Sequence, residues 1–150
     1  AEEMDRVAIA GMGGYTICKI LKEYPEKTRK INQLVLQPQS SPERVRKLLL
    51  ELGFGITQER LLKEDGRLYV VISALRDAGV QQSSWENLQI GPYLLENGSE
   101  YLVEYIGDML HHKQFVLNSI IMAQKEELEK IKGLEDELER LRKLKERYDN

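Results

Sequence analysis

The sequence predicts an α/β fold that is followed by a helical hairpin, and three observations support this prediction. Two short apolar segments, residues 6–10 and 33–36, are each followed by a helical pattern, as in a parallel sheet with helical crossovers. Two further strand-like segments, residues 54–62 and 68–75, flank an Asp-Gly pair, which is typical of an antiparallel β-hairpin. From residue 99 onward, apolar residues recur at helical spacing.

The first strand and its crossover meet at a glycine turn. Residues 6–10 (RVAIA) form an apolar, partly β-branched run that predicts a buried strand, and the run ends in Gly-Met-Gly-Gly at residues 11–14. Ile17, Ile20 and Leu21 then recur at helical spacing, which predicts a helix to about residue 23.

The second strand, residues 33–36, stops at residues 37–39 (Gln-Pro-Gln). Ser41 is a potential helix cap and Pro42 fits a first helical turn, so a helix is predicted from there to Gly53, where left-handed backbone geometry is common. Because the two parallel strands are almost continuously apolar, we expect helices on both faces of the sheet. The polar residues 77–89 are predicted to form a loop.

The C-terminal part carries two apolar stripes that differ in phase. The first stripe begins at Leu102 and fades after Ile120, and a new stripe begins at Leu128. The phase change between about residues 121 and 127 predicts an antiparallel hairpin, and a continuous helix with a four-residue stutter is the alternative. We therefore predict two domains, residues 1–90 and 91–150.

Composition excludes several classes of protein. The chain has 150 residues, with 22 Lys and Arg against 25 Asp and Glu, so its net charge of -3 argues against a polybasic nucleic-acid binder. The single Cys18 excludes a disulfide framework, and the adjacent His111 and His112 do not build a metal site alone. No apolar run approaches the roughly 20 residues that span a bilayer, and the acidic start does not resemble a signal peptide. We therefore expect a cytoplasmic protein without metal or membrane partners.

The glycine turn is the strongest candidate for a ligand site. Gly11, Gly13 and Gly14 let backbone N–H groups approach a ligand at a helix N-terminus. The turn is neither a dinucleotide fingerprint, because position 16 is Thr, nor a P-loop, because no Gly-Lys-Ser/Thr follows. The alternative is a tight turn in which the glycines are purely structural.

Two polar features lie near this turn in the predicted fold. Gln37 and Gln39 follow a strand end, where their amides are suited to reading a base edge, although a simple polar strand end is the alternative. The sequence from position 19 to position 47 contains eight basic residues but only three glutamates. The excess of positive charge is suited to binding phosphates, and the alternative is that these residues lie on solvated helix faces. These basic residues are Lys19, Lys22, Lys27, Arg29, Lys30, Arg44, Arg46 and Lys47. No Ser-His-Asp set, catalytic carboxylate pair or H-E-x-x-H motif occurs, so no catalytic residue is assigned.

Read together, four motifs resemble those of a known family. They are I-A-G-M-G-G at residues 9–14, L-V-L-Q-P at 34–38, G-F at 53–54 and G-P-Y-L at 91–94, and a long helical tail follows them. The set resembles the bacterial TrmK family, the tRNA (adenine(22)-N(1))-methyltransferases. Position 39 is Gln where that family usually has Asn. The resemblance implies a class I, Rossmann-like methyltransferase domain that binds S-adenosylmethionine, followed by an antiparallel coiled coil.

The resemblance also implies roles for the candidate residues. Gly11, Met12, Gly13 and Gly14 would border the cofactor and the target base, and Gln37, Pro38 and Gln39 would lie beside the same pocket. The basic segment and the helical tail would contact tRNA. The strands correspond to the back half of the family's sheet, so we expect the C-terminal part of a methyltransferase with an unpaired sheet edge. The alternative is a non-catalytic interaction module that self-associates through this edge and its coiled coil.

Overall fold

The computed structural model describes residues 5–79 and 83–150 of the chain. The strands are β1 (Arg6–Met12), β2 (Gln33–Pro38), β3 (Phe54–Glu64) and β4 (Arg67–Arg76). The helices are α1 (Gly14–Glu23), α2 (Pro25–Thr28), α3 (Pro42–Glu51), α4 (Trp85–Gln89), α5 (Pro92–Asn97), α6 (Leu102–Met122) and α7 (Leu128–Tyr148). The chain divides into two compact units; the first ends at Ser99 and the second begins at Glu100. The boundary between a methyltransferase domain and a coiled-coil domain at residue 90 stays a prediction.

The first unit is built on a four-stranded mixed sheet with the order β1-β2-β4-β3. The strands β1 and β2 are parallel, whereas β4 is antiparallel to both of its neighbours. The hairpin between β3 and β4 turns at Asp65 and Gly66, both of which have positive φ angles, as the Asp-Gly pair predicts. The α/β prediction and its order of elements are confirmed.

One sheet face is well covered, and this corrects the expectation of helices on both faces. Leu34 and Leu36 on β2 are fully buried, whereas Val35 between them is only half-buried. The strand β1 is largely exposed, with Ala8 and Ala10 open to solvent, so the prediction of a buried first strand is wrong. The reason is that, among the described residues, β1 pairs with β2 alone. This exposed edge is the one that the family resemblance implies.

Two local predictions also need correction. Ser41 precedes α3, but it has a left-handed backbone (φ 49°) and its side chain does not cap the helix. Part of the segment predicted as a loop, residues 77–89, is the helix α4, because the Ser84 hydroxyl accepts a hydrogen bond from the Asn87 N–H at 3.0 Å and caps it. Residues 80–82 of that segment lie outside the described residues.

The second unit is an antiparallel helical hairpin. The chain reverses at residues 123–127, where Gln124 has a φ of 51°. Lys113 on α6 pairs with Glu137 on α7 at 2.5 Å, and the helices bury Leu117 and Leu138 among other apolar residues. The hairpin that the phase change predicts is confirmed, and the continuous helix is excluded.

Candidate functional site

The glycine turn joins β1 to α1 and needs its glycines for two different reasons. Gly11 has a φ of +73° at a break in the β1–β2 register, and a side chain there would meet no atom, so only the backbone conformation requires glycine. At Gly14 a Cβ atom would lie 2.5 Å from the Ser40 carbonyl oxygen. The Gly14 N–H donates to that same oxygen at 2.7 Å, so the turn touches the loop between β2 and α3 directly.

Hydrogen bonds join the ends of the two parallel strands. The Gly11 N–H donates to Oε1 of Gln37 at 2.8 Å, and the Gln39 N–H donates to the Met12 carbonyl oxygen at 2.9 Å. Met12 and Gln39 are exposed, Gln37 is half-buried and Pro38 is buried. The residues predicted to meet the cofactor and those predicted to meet the substrate base therefore lie at one edge of the sheet.

The helix α1 starts directly after this turn. Gly13 occupies the cap position, no side chain caps the helix, and its first turn contains no acidic residue. The first N–H groups of a helix lack partners within it, and the Ser40 carbonyl oxygen accepts the first of them, the Gly14 N–H, at 2.7 Å. The exposed backbone at Gly11 and Met12 leaves space for a polar cofactor beside the turn.

A cationic cavity of about 490 Å³ lies between α1 and α3. It is lined by Tyr15, Cys18, Lys19, Lys22, Glu23, Arg44, Lys47, Leu48 and Glu51. Four cations and two carboxylates give the lining a positive charge, although the chain as a whole is acidic. Tyr15 is the second residue of α1, so the cavity begins next to the glycine turn. This arrangement is suited to a polyanion that passes the turn.

Cys18 lines the cavity but is not an activated nucleophile. Burial raises the pKa of its thiol, and the nearby Lys22 and Arg44 only partly oppose this effect. Because the thiolate is the reactive form, Cys18 stays a protonated, weakly reactive side chain near neutral pH.

Three of the predicted basic residues lie away from the cavity lining. Lys27 lies over the Tyr24 ring, 5.2 Å from its centroid. Arg29 pairs with Glu26 at 2.8 Å on the surface, and Lys30 is exposed on the same segment. These residues form a separate basic patch after α1.

Arg46 is the residue for which the structure contradicts the predicted phosphate contact. Its side chain is fully buried and its Nε donates to Oε1 of Glu59, which is also buried, at 2.7 Å. The guanidinium also donates to the carbonyl oxygens of Leu88, Gln89 and Ile90 at 2.8 to 3.1 Å. Arg46 is thus removed from solvent and holds the end of α4 instead of an RNA phosphate.

The same network explains the G-P-Y-L motif. Glu59 accepts a hydrogen bond from the Tyr93 N–H at 3.1 Å. Gly91 has a φ of +117°, and a Cβ atom there would clash with Oε2 of Glu59 and lie 2.6 Å from its Oε1. The motif therefore lets the chain pass closely over a buried ion pair, which is a structural role.

Tyr15 and Glu59 are the site residues that sequence reasoning missed. Tyr15, Lys19 and Lys22 are spaced by four and three residues on α1, and Arg44, Lys47 and Glu51 by three and four on α3. Helical spacing could have identified the cavity from these intervals. No local pattern marks Glu59 as the partner of Arg46.

The described residues contain neither a candidate metal cluster nor a helix that could cross a membrane. No group of three or more His, Cys, Asp and Glu residues is placed to hold a metal ion within residues 5–79 and 83–150. In the described part of the chain, none of the helices combines the length and apolar character that a bilayer span requires.

Comparison with known proteins identifies the class. A Streptococcus agalactiae protein of the NADB-Rossmann superfamily superimposes with a TM-score of 0.80 at 30% identity, over 95% of this chain and 60% of that one. A Streptococcus pneumoniae structure, a putative tRNA (m1A22) methyltransferase in complex with S-adenosyl-L-methionine, gives a TM-score of 0.70 at 28% identity, over 92% and 63%. The fold is that of Rossmann-like methyltransferases.

A family model narrows this class. The model for TrmK, tRNA (adenine(22)-N(1))-methyltransferase, matches residues 1–143, so the chain belongs to the TrmK family. A tRNA (adenine(22)-N(1))-methyltransferase from Bacillus subtilis is 29% identical over 150 residues. The match covers 95% of this chain but only 62% of that relative.

Proposed function

We propose that the protein containing this chain is an S-adenosylmethionine-dependent methyltransferase that acts on N1 of an adenine in tRNA, in the cytoplasm. The observation that carries the proposal is the family match over residues 1–143. The placement of the exposed glycine turn beside the polar end of β2 supports it, because the residues that would border the cofactor and the base lie together there. The similar structure bound to S-adenosyl-L-methionine supports the choice of cofactor.

The chain's own residues would position the reactants. When bound, the cofactor supplies a methyl group on a sulfonium centre. The N1 lone pair of adenine bonds to that methyl carbon as the carbon–sulfur bond breaks, so the ring gains a positive charge. The exposed backbone at Gly11 and Met12 gives the cofactor and the base close access to this edge of the sheet. Because N1 lies on the pairing edge, the target base must be unpaired when it enters the site.

The cationic cavity would hold the RNA backbone. Lys19, Lys22, Arg44 and Lys47 lie on two neighbouring helices, directly after the glycine turn and the loop that it touches. Cations in such a groove bind phosphates and release counterions, so affinity falls as salt rises, by a log–log slope of about 0.7 to 0.9 per phosphate contact. Lys27, Arg29 and Lys30 are proposed as peripheral contacts to the same RNA.

Methyl transfer tests the proposal. The natural protein that contains this chain is incubated with a tRNA transcript and S-adenosylmethionine, and the modified position is mapped as a stop in reverse transcription. We expect a stop at an adenine, and none in a matched transcript that carries guanine at that position. Methyl incorporation at another atom, or none into any tRNA, would contradict the proposal.

Self-association is a second candidate function, and the exposed edge of the sheet favours it. Ala8 and Ala10 on β1 are open to solvent, and β1 has one strand neighbour within the described residues. A second chain would add a strand there and form backbone hydrogen bonds. Sedimentation equilibrium separates a scaffold from a methyltransferase, because only the scaffold requires a stable dimer. We expect Ala8→Pro to abolish the formation of that dimer.

A further inference from the structure

The Gln37 side chain satisfies a backbone donor that the sheet leaves without a partner. The β1–β2 register shifts between Ala10 and Met12, so Gly11 has no partner residue in β2. The Gly11 N–H instead donates to Oε1 of Gln37 at 2.8 Å. A side chain from 26 residues away thus braces the left-handed backbone of the glycine turn.

This hydrogen bond also sets the orientation of the amide. An N–H group requires an acceptor, so the carbonyl oxygen of Gln37 must face Gly11 and its NH₂ group must face away. Within the described residues, the Gln37 NH₂ group donates to no protein acceptor, and the side chain is half-buried. The protein therefore holds two N–H donors in a fixed direction at the edge where the base is proposed to bind.

We propose that Gln37 has two roles: its oxygen braces Gly11, and its NH₂ group donates to a ring nitrogen of the target adenine. The second role rests on the proposed function. Adenine retains N3 and N7 as acceptors while N1 reacts, so a donor suits this base. Gln33 is a matched control, because it is also a half-buried glutamine of β2 but lies at the opposite end of the strand, where its backbone N–H donates to the Asp5 carbonyl oxygen.

Two variants separate the roles. Gln37→Glu keeps an acceptor for Gly11 but removes both N–H donors, whereas Gln37→Ala removes both functions. Gln33→Glu adds the same charge at the opposite end of β2.

The test uses the natural protein that contains this chain, labelled with ¹⁵N-glycine. In Gln37→Glu we expect Gly11 amide exchange with water to stay near the wild-type rate, the affinity for S-adenosylhomocysteine to be unchanged, and single-turnover methyl transfer to fall about tenfold or more. In Gln37→Ala we expect Gly11 exchange to accelerate as well. Gln33→Glu should leave all three quantities near wild type.

Each alternative result overturns one part of the proposal. Wild-type methyl transfer by Gln37→Glu would refute donation to the base. Unchanged Gly11 exchange in Gln37→Ala would refute the brace. If the wild-type protein methylates no tRNA, the proposed function fails with it, and Gly11 exchange still tests the brace alone.

Discussion

The buried pair of Arg46 and Glu59 gives the largest expected effect of a single substitution on stability. Both side chains are completely buried, and Arg46 donates to Glu59 and to three carbonyl oxygens at the end of α4. In Glu59→Leu the guanidinium keeps its charge and loses its counterion. Removing one partner of a buried pair costs about 3–5 kcal/mol, since it leaves an uncompensated charge. With a urea m-value of about 2 kcal/mol per molar, the unfolding midpoint falls by about 2 M.

The double variant tests whether the buried charge is the cause. Arg46→Met with Glu59→Leu contains no buried ion, so its loss of stability should be smaller than the sum of the two single losses by about 2 kcal/mol or more. Full recovery is not expected. The carbonyl oxygens of Leu88, Gln89 and Ile90 lose their donor, at a cost of about 1 kcal/mol or more in total.

The single tryptophan reports on this region. Trp85 is the first residue of α4, the helix whose C-terminal carbonyl oxygens Arg46 holds. Urea unfolding is followed by Trp85 fluorescence and by circular dichroism. The control Arg44→Met, an exposed change on α3, the helix that carries Arg46, should cost less than about 0.5 kcal/mol. A loss below 1 kcal/mol for Glu59→Leu, or strict additivity in the double variant, would show that the unpaired charge of Arg46 does not destabilise the protein.

Three further predictions concern other parts of the chain. Gly14→Ala should destabilise the first unit by about 2 kcal/mol through overpacking. Gly133→Ala lies in an exposed part of α7 with no atom near the added methyl group, so it should stabilise the hairpin by about 0.5–1 kcal/mol. A change of the opposite sign for either variant in thermal unfolding would contradict this prediction. Because burial raises the pKa of Cys18, its alkylation at pH 7 should be slower than that of free cysteine and should keep rising at more alkaline pH; a faster rate at pH 7 would show an activated thiol. Glu137→Gln should remove the partly exposed pair with Lys113 and cost about 0.5 kcal/mol at low salt and less at high salt; an effect that grows with salt would exclude this explanation.

Features that depend on local chemistry could be predicted from the sequence. The Asp65-Gly66 turn is compatible with few backbone conformations, so the β3–β4 hairpin follows from two residues. The hairpin of α6 and α7 follows from the change of phase between their apolar stripes. The glycine turn at residues 11–14 is equally local, because its residues directly follow an apolar strand.

Features that depend on distant neighbours could not be predicted in the same way. Arg44 and Arg46 flank the apolar stripe of α3 on opposite sides and look equivalent in the sequence. Only the tertiary structure brings Glu59 to Arg46, whereas Arg44 stays exposed to solvent. The exposure of β1 likewise depends on which strands lie beside it, not on its own apolar residues.

The bond between Gln37 and Gly11 combines both kinds of information. The position of Gln37 at a strand end was predictable, but the direction of its amide depends on the register shift that releases the Gly11 N–H. The sequence alone therefore suggests a base-reading amide without showing which of its atoms remains to read the base.

The most direct test of the account is the KM for tRNA in methyl transfer by the natural protein that contains this chain. The variant Lys22→Glu with Lys47→Glu reverses two charges of the cavity, and Lys27→Glu with Lys30→Glu makes the same change at the proposed peripheral contacts, outside the cavity lining. We predict that the cavity variant raises KM for tRNA about tenfold or more, with the KM for S-adenosylmethionine unchanged, and that the control has a much smaller effect. Equal effects of the two variants, or a wild-type protein that transfers no methyl group to tRNA, would contradict the account.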